Sequence, residues 1–179
     1  NSVYRRSFIN WSPQLLYQYQ FAQRRNLTFN YNGATTQPTV EQVQPVSVNT
    51  NPLNVILGNP LLRPSFTNNF RLSYRAYSAI SKMNLTINSS YQLTTNAIIN
   101  NSTTSASGKT TRQFVNLTGY KPFNYNLNTN MSFPLNFIDA DLEMEAGADG
   151  SVNYSFINGA INRANSQYYY MYAQLRKSK

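Results

Sequence analysis

Five of the chain's six carboxylates fall between positions 139 and 149, and Asp141, Glu143, Glu145 and Asp149 all stand at odd positions. Such a cluster could hold a metal ion or exchange protons. Its spacing argues against both, because same-face residues of a strand lie about 6.8 Å apart, twice the rise per residue. Carboxylates fixed at that separation share a proton poorly, and a straight row makes no cage for calcium. Cys and His are absent, which removes the side chains of zinc, haem, iron–sulfur, Cys–His and Ser–His chemistry. No catalytic residue, metal ligand or cofactor is therefore expected, and the chain reads as something other than an enzyme.

The remaining charge is basic. Fifteen Lys and Arg against six acids give a net charge of +9, a balance that invites nucleic acid. Arg24, Arg25, Lys82, Arg176, Lys177 and Lys179 sit at the ends of alternating segments, with no dense basic face beside a stacking platform. No nucleic acid partner is expected. Most of the polarity is neutral, Asn alone occurring 26 times in 179 residues. Tyr168, Tyr169, Tyr170 and Tyr172 could stack sugar rings or bases. A Tyr-rich strand end also suits the interfacial girdle of a membrane barrel, and that reading is favoured.

The elements that must position these residues are written as alternation. Across residues 82–100 the odd positions Met83, Leu85, Ile87, Tyr91, Leu93, Ala97 and Ile99 are apolar, against polar Asn84, Thr86, Asn88, Ser90, Gln92, Thr94 and Asn96. A period of two is a strand with one apolar and one wet face. The pattern recurs over residues 15–21, 27–32, 70–76, 111–135, 140–156 and 171–175, which predicts about seven strands. Joins near 22–25, 78–81 and 136–139 are short, whereas 34–64, 101–109 and 159–165 are longer. Short and long connections in turn are the rhythm of an antiparallel up-and-down meander.

Strand length chooses the solvent. A bilayer is crossed in about 9–11 tilted residues, whereas globular strands average about 5–6. The runs over 82–100 and 111–135 exceed both, and the apolar face carries no Lys or Arg in its middle. The expected fold class is all-β, an antiparallel meander of about seven long strands forming part of a larger transmembrane barrel. A soluble carbohydrate-binding sheet, the competing class, would bury the apolar face under a second sheet.

The most specific text lies in the loop at 34–64: Gln37-Pro-Thr-Val-Glu-Gln-Val-Gln-Pro-Val46, then Asn51-Pro-Leu-Asn-Val-Ile-Leu-Gly-Asn-Pro-Leu-Leu-Arg-Pro64. It resembles the barrel of Bacteroidetes TonB-dependent outer-membrane receptors, in which a Pro-Ser-Ile-x-Gln-Leu-Gln-Pro-like turn precedes an Asn-Pro-Leu segment and a Gly-Asn-Pro-x-Leu-x-Pro signature. Thr39 and Arg63 replace a commoner Ser and Lys. Asn116-Leu-Thr-Gly119, Ser132-Phe-Pro-Leu135 and Ile157-Asn-Gly-Ala160 extend the resemblance over nearly the whole chain, residues 1–179. The signature is read as loop shaping rather than ligand contact, since Gly58, Pro60 and Pro64 are turn residues.

The resemblance implies an outer-membrane protein importing a scarce nutrient, such as a siderophore or glycan, with outer-membrane lipid around it. It also implies a plug domain of the same full-length protein, TonB engaged through an N-terminal part, and a possible surface lipoprotein as partners. Transporters of this type have 22 strands and a filled lumen, so the chain reads as about a third of a barrel, its C-terminal part, without the plug. A non-transporting barrel or secretion component is the alternative. The lumen-facing candidates are Arg71, Arg75, Arg112, Asn126, Asn130, Glu143, Glu145 and Asp149. A tight turn pairing positions that sum to 275 sets Glu143 opposite Ser132, Glu145 opposite Asn130 and Asp149 opposite Asn126, where amides can bond carboxylates. The acids are expected to meet basic groups of the plug, and the arginines to solvate the wall.

Overall fold

Side chains that alternate in polarity can meet two different surroundings only if the backbone runs extended. The computed structural model of the chain, which describes residues 7–44 and 47–177, is accordingly almost all strand. In chain order the elements are β1 (Gln14–Ala22), β2 (Arg25–Thr36), α1 (Val40–Val43), β3 (Ser47–Asn51), β4 (Asn54–Leu57), β5 (Ser65–Ser78), β6 (Met83–Thr95), β7 (Ile98–Thr104), β8 (Thr110–Asn116), β9 (Phe123–Leu135), β10 (Ala140–Ile157) and β11 (Ala160–Lys177). β1, β2, β5, β6, β9, β10 and β11 lie side by side in that order, each antiparallel to the next. This wall is one layer thick: Leu85, Ile87 and Met144 are half-buried and Leu127 is exposed, so among the described residues no second sheet covers the apolar face.

The whole sheet departs from the expected pure antiparallel meander of seven strands. Among the described residues it has eleven strands and is mixed. β7 joins the outer end of β10 in parallel, Phe156 opposite Asn101 and Ile157 opposite Ser102, and β4 runs parallel to β8. Among the described residues the sheet is also open, since β1 and β11 do not pair with each other. The four added strands come from the loops at 37–64 and 96–122.

Two long alternating runs each prove to be two strands. Asn96 takes the left-handed backbone region, with φ 53°, and ends β6. Pro122, which cannot donate to a ladder, precedes β9. Alternation survives these breaks, so periodicity alone does not reveal them. The longer join expected at 159–165 is instead strand. Asn158 and Gly159, with φ 51° and 78°, form a two-residue turn between Ile157 and Ala160, the use for which Asn-Gly pairs are favoured in hairpins.

Buried side chains concentrate in the loops. Val55, Leu62, Ala97, Ile99 and Leu117 are buried, Leu62 completely, and Val115, Tyr154 and Phe156 pack against the Ala97–Ile99–Leu117 cluster. The Gly-Asn-Pro signature organises this cap. Asn59 donates its Nδ2 to the Phe114 carbonyl at 2.9 Å and accepts from the Leu61 N–H at 3.0 Å. Asn116 accepts from Arg63 N–H and donates to the Arg63 carbonyl, both at 2.8 Å. Asn96 donates to the Pro64 carbonyl at 2.8 Å. A Cβ on Gly58 would overlap the Gln44 carbonyl. α1 begins with a capping box in which Thr39 and Gln42 satisfy each other's backbone N–H, which accounts for the Thr-x-x-Gln text. The signature therefore shapes the loop.

Leu62→Ala is expected to cost about 2–5 kcal/mol through lost burial and a residual cavity, and Gly58→Ala about 1–3 kcal/mol through overpacking against backbone. Urea unfolding of the refolded protein in detergent measures both, and early protease cleavage within 37–64 would localise the damage to the cap.

Candidate functional site

The strand registers join the polar residues into rows across the wall. One runs Leu16, Asn30, Arg71, Ser90, Asn126, Asp149, Tyr168; the next Gln18, Thr28, Ser73, Asn88, Asn128, Gly147, Tyr170; a third Gln20, Asn26, Arg75, Thr86, Asn130, Glu145, Tyr172. Rows of the opposite face run Tyr17, Phe29, Leu72, Ser89, Leu127, Ala148, Tyr169 and Tyr19, Leu27, Tyr74, Ile87, Thr129, Ala146, Met171. Neither apolar row contains a charge. On that face Tyr31, Phe70, Tyr91 and Phe123 follow one another at ring-centroid separations of 5.0, 6.4 and 5.9 Å, forming an aromatic belt.

The structure brings seven of the eight candidate residues onto the polar face of the wall. Arg71 and Arg75 stand on β5, Asn126 and Asn130 on β9, and Glu143, Glu145 and Asp149 on β10. Arg112 does not join them: it lies on β8, opposite Ser102 and Ile56, in the cap. The break near Pro122 removes it from the strand to which the unbroken alternation assigned it. Arg71 and Asp149 share a row three strands apart, roughly 14 Å at about 4.8 Å per strand. Arg75 and Glu145 do the same one row on. The polar face thus has a basic flank on β5, an acidic flank on β10, and a neutral strip of Asn, Ser, Thr and Gln on β6 and β9.

The expected pairing of β9 with β10 is the observed one, but the bonds are distributed differently. Asn126 donates to Asp149 at 2.6 Å, as anticipated. Glu145 takes its bond from Asn128, at 2.8 Å, and not from Asn130 opposite it. The reason is Gly147: a Cβ there would collide with the ring of Tyr170, so its absence lets that ring lie across β10. The Tyr170 hydroxyl then accepts from Asn128 at 2.7 Å and donates to Glu145 at 3.1 Å. Glu143 meets Arg176 of β11 at 3.3 Å, so a cation from the neighbouring strand already faces it.

Arg71 lines a hollow of about 380 Å³ with Asn30, Ser73, Asn88, Ser90 and Asn126. Neither Arg71 nor Arg75 has an ion-pair partner among the described residues. A mouth cavity of about 430 Å³ lies where the cap meets the wall, with Gln37, Gln42, Gln92, Thr94 and Asn124 in its lining. Sequence reasoning missed both Tyr170 and the mouth cavity. The register with β10 was the signal for the first, because it places Tyr168, Tyr170 and Tyr172 opposite Asp149, Gly147 and Glu145. The girdle expected for the tyrosine run therefore holds only Tyr169, the one of the four on the apolar face. No group of three or more metal-ligating side chains is found among the described residues.

Compared with known proteins, residues 1–178 match a sequence model described as the outer membrane protein beta-barrel family. No curated protein and no solved structure matches the chain.

Tyr170→Phe deletes only the hydroxyl shared by Asn128 and Glu145 and is expected to cost about 1 kcal/mol. Gly147→Ala displaces the ring and breaks the same bonds, so the double variant should cost less than the two single costs added. Urea unfolding of all four forms closes this cycle; full additivity would mean that Gly147 does not position Tyr170.

Proposed function

The chain belongs to the outer membrane protein beta-barrel family, and from that premise we propose that it is wall and outer-loop structure of a TonB-dependent receptor that imports a nutrient. Outer-membrane localisation follows from the family, and the two faces of the wall fit it. One carries uncharged rows and an aromatic belt for hydrocarbon and its interfaces, the other amides and charges for a wet lumen. The observation that carries the import reading is the cap. Signature residues of the loop at 37–64 are bonded into a folded structure whose junction with the wall holds an amide-lined cavity. Such a cavity can meet a solute before it enters the lumen.

A wider barrel accounts for the open sheet. In hydrocarbon an unpaired strand edge is costly, so β1 and β11 need neighbours, and seven wall strands fit within a wider barrel that has room for a plug. In this reading the plug gates the lumen, TonB supplies the work, outer-membrane lipid covers the belt, and a surface lipoprotein can sit on the cap. Siderophores and glycans are both compatible cargo classes at this level.

Two experiments test the reading at different depths. Leu127→Arg puts a cation on the lipid face and is expected to destabilise the inserted barrel by about 2–4 kcal/mol, whereas Asn130→Arg, facing the lumen beside Glu145, should assemble like the parent. Heat-modifiable mobility of the outer-membrane fraction reads both. For transport, growth on the cargo should require both the full-length receptor and TonB; uptake that persists without TonB would overturn energised import and leave the barrel intact.

A further inference from the structure

Within the import reading, we infer that the lumen-side hollow between β9, β10 and β11 takes a ring of a neutral saccharide, stacked on Tyr168. The face assignment comes first. Tyr168 is opposite Asp149, in a row on the polar face of the wall. It has no hydrocarbon to anchor in, so an interfacial girdle does not explain it. One side of its ring rests on Tyr170, the centroids 5.8 Å apart and the planes 28° from parallel, and Tyr170 is itself tied to Asn128 and Glu145. The stack is thereby held in place. A fixed aromatic ring that borders a hollow is suited to the C–H face of a sugar ring.

Around it lies a hollow of about 300 Å³ whose lining includes Asn124, Asn126, Asp149, Ser151, Ser166 and Tyr168. That volume is at the small end of ligand clefts. The lining offers two amides, one carboxylate, two serine hydroxyls and tyrosine, with no Lys or Arg. Asn126 fixes one Asp149 oxygen at 2.6 Å, leaving the other to accept from a ligand hydroxyl, while Asn124 and the serines supply donors and acceptors for neighbouring hydroxyls. Asp141, Glu143 and Glu145 on the same strand repel an anion. With a single carboxylate and one open aromatic face, the hollow lacks the cage and charge that a cationic ligand needs. Asn124 also lines the mouth cavity, so a chain of sugar units can reach from the cap to Tyr168 without leaving amide surface.

The test uses the full-length receptor in a detergent without a sugar headgroup, with maltohexaose, cellohexaose, xylohexaose and mannohexaose as probes in titration calorimetry. At least one should bind, with affinity nearly independent of ionic strength. Tyr168→Ala should weaken it about tenfold or more, a difference of about 1.4 kcal/mol. Tyr168→Phe should keep most of it and Asp149→Asn lose part. Tyr169→Ala, altered on the opposite face, should bind like the parent, and heat-modifiable mobility confirms that each variant is folded. The inference is overturned if no probe binds, if folded Tyr168→Ala binds like the parent, or if a cationic peptide binds there and salt abolishes its binding. Failure here is separable from failure of the import reading: a TonB-dependent cargo that is no saccharide would sink the first alone, and saccharide binding with TonB-independent entry the second alone.

Discussion

A backbone N–H or C=O in hydrocarbon has no water to turn to, and this constraint underlies the rest of the molecule. It forces the wall into one continuous ladder, and once the ladder exists the parity of each residue decides which medium it meets. A single layer has no other means of sorting its side chains. A slip of one residue would turn whole rows of asparagine to lipid and leucine to water, so register is strongly specified here. The lock between Gly147 and Tyr170, made on the lumen face, adds a side-chain contact that opposes slippage of β10 against β11.

The same constraint explains why the hydrophobic core is where it is. Apolar residues of the wall are already removed from water by the lipid, so they need no partners from this chain, and Leu127 is exposed in it. The loops have water on every side and must bury their own apolar groups to hold a shape. Leu62 and Leu117, the largest fully buried side chains among the described residues, both lie in the cap. Its polar side chains then follow the rule that buried backbone groups find partners: Asn59, Asn96 and Asn116 cover carbonyls and N–H groups that no strand reaches.

Much of this was legible in the sequence. The period of two marked the wall strands and their faces, and the short join at 136–139 placed β9 and β10 in the register observed. What was hidden was hidden for physical reasons. Alternation continues through Asn96 and through the segment before Pro122, so breaks in strand direction left the pattern intact and Arg112 was carried onto the wrong surface. The Asn-Gly pair at 158–159 carries the signal of a tight hairpin turn, yet the segment from 159 to 165 reads as a longer join until the strand pairing is seen. In the candidate site, amide-to-carboxylate bonding was legible for Asp149, whereas the bond from Asn128 to Glu145 goes with the Tyr170 ring seated over Gly147, which only the packed structure displays.

The tyrosine run shows what parity adds to composition. Tyr168, Tyr169 and Tyr170 are neighbours in sequence, yet β11 sends the middle one to the lipid side and the outer two to the lumen. The first assignment serves insertion and the second serves the polar face, so a single cluster of one residue type has two unrelated tasks. Between the basic flank of β5 and the acidic flank of β10, the neutral residues of β6 and β9 present donors and acceptors whose strength depends on direction more than on net charge. In the proposed import reading, such a strip sorts solutes by the geometry of their hydrogen-bonding groups.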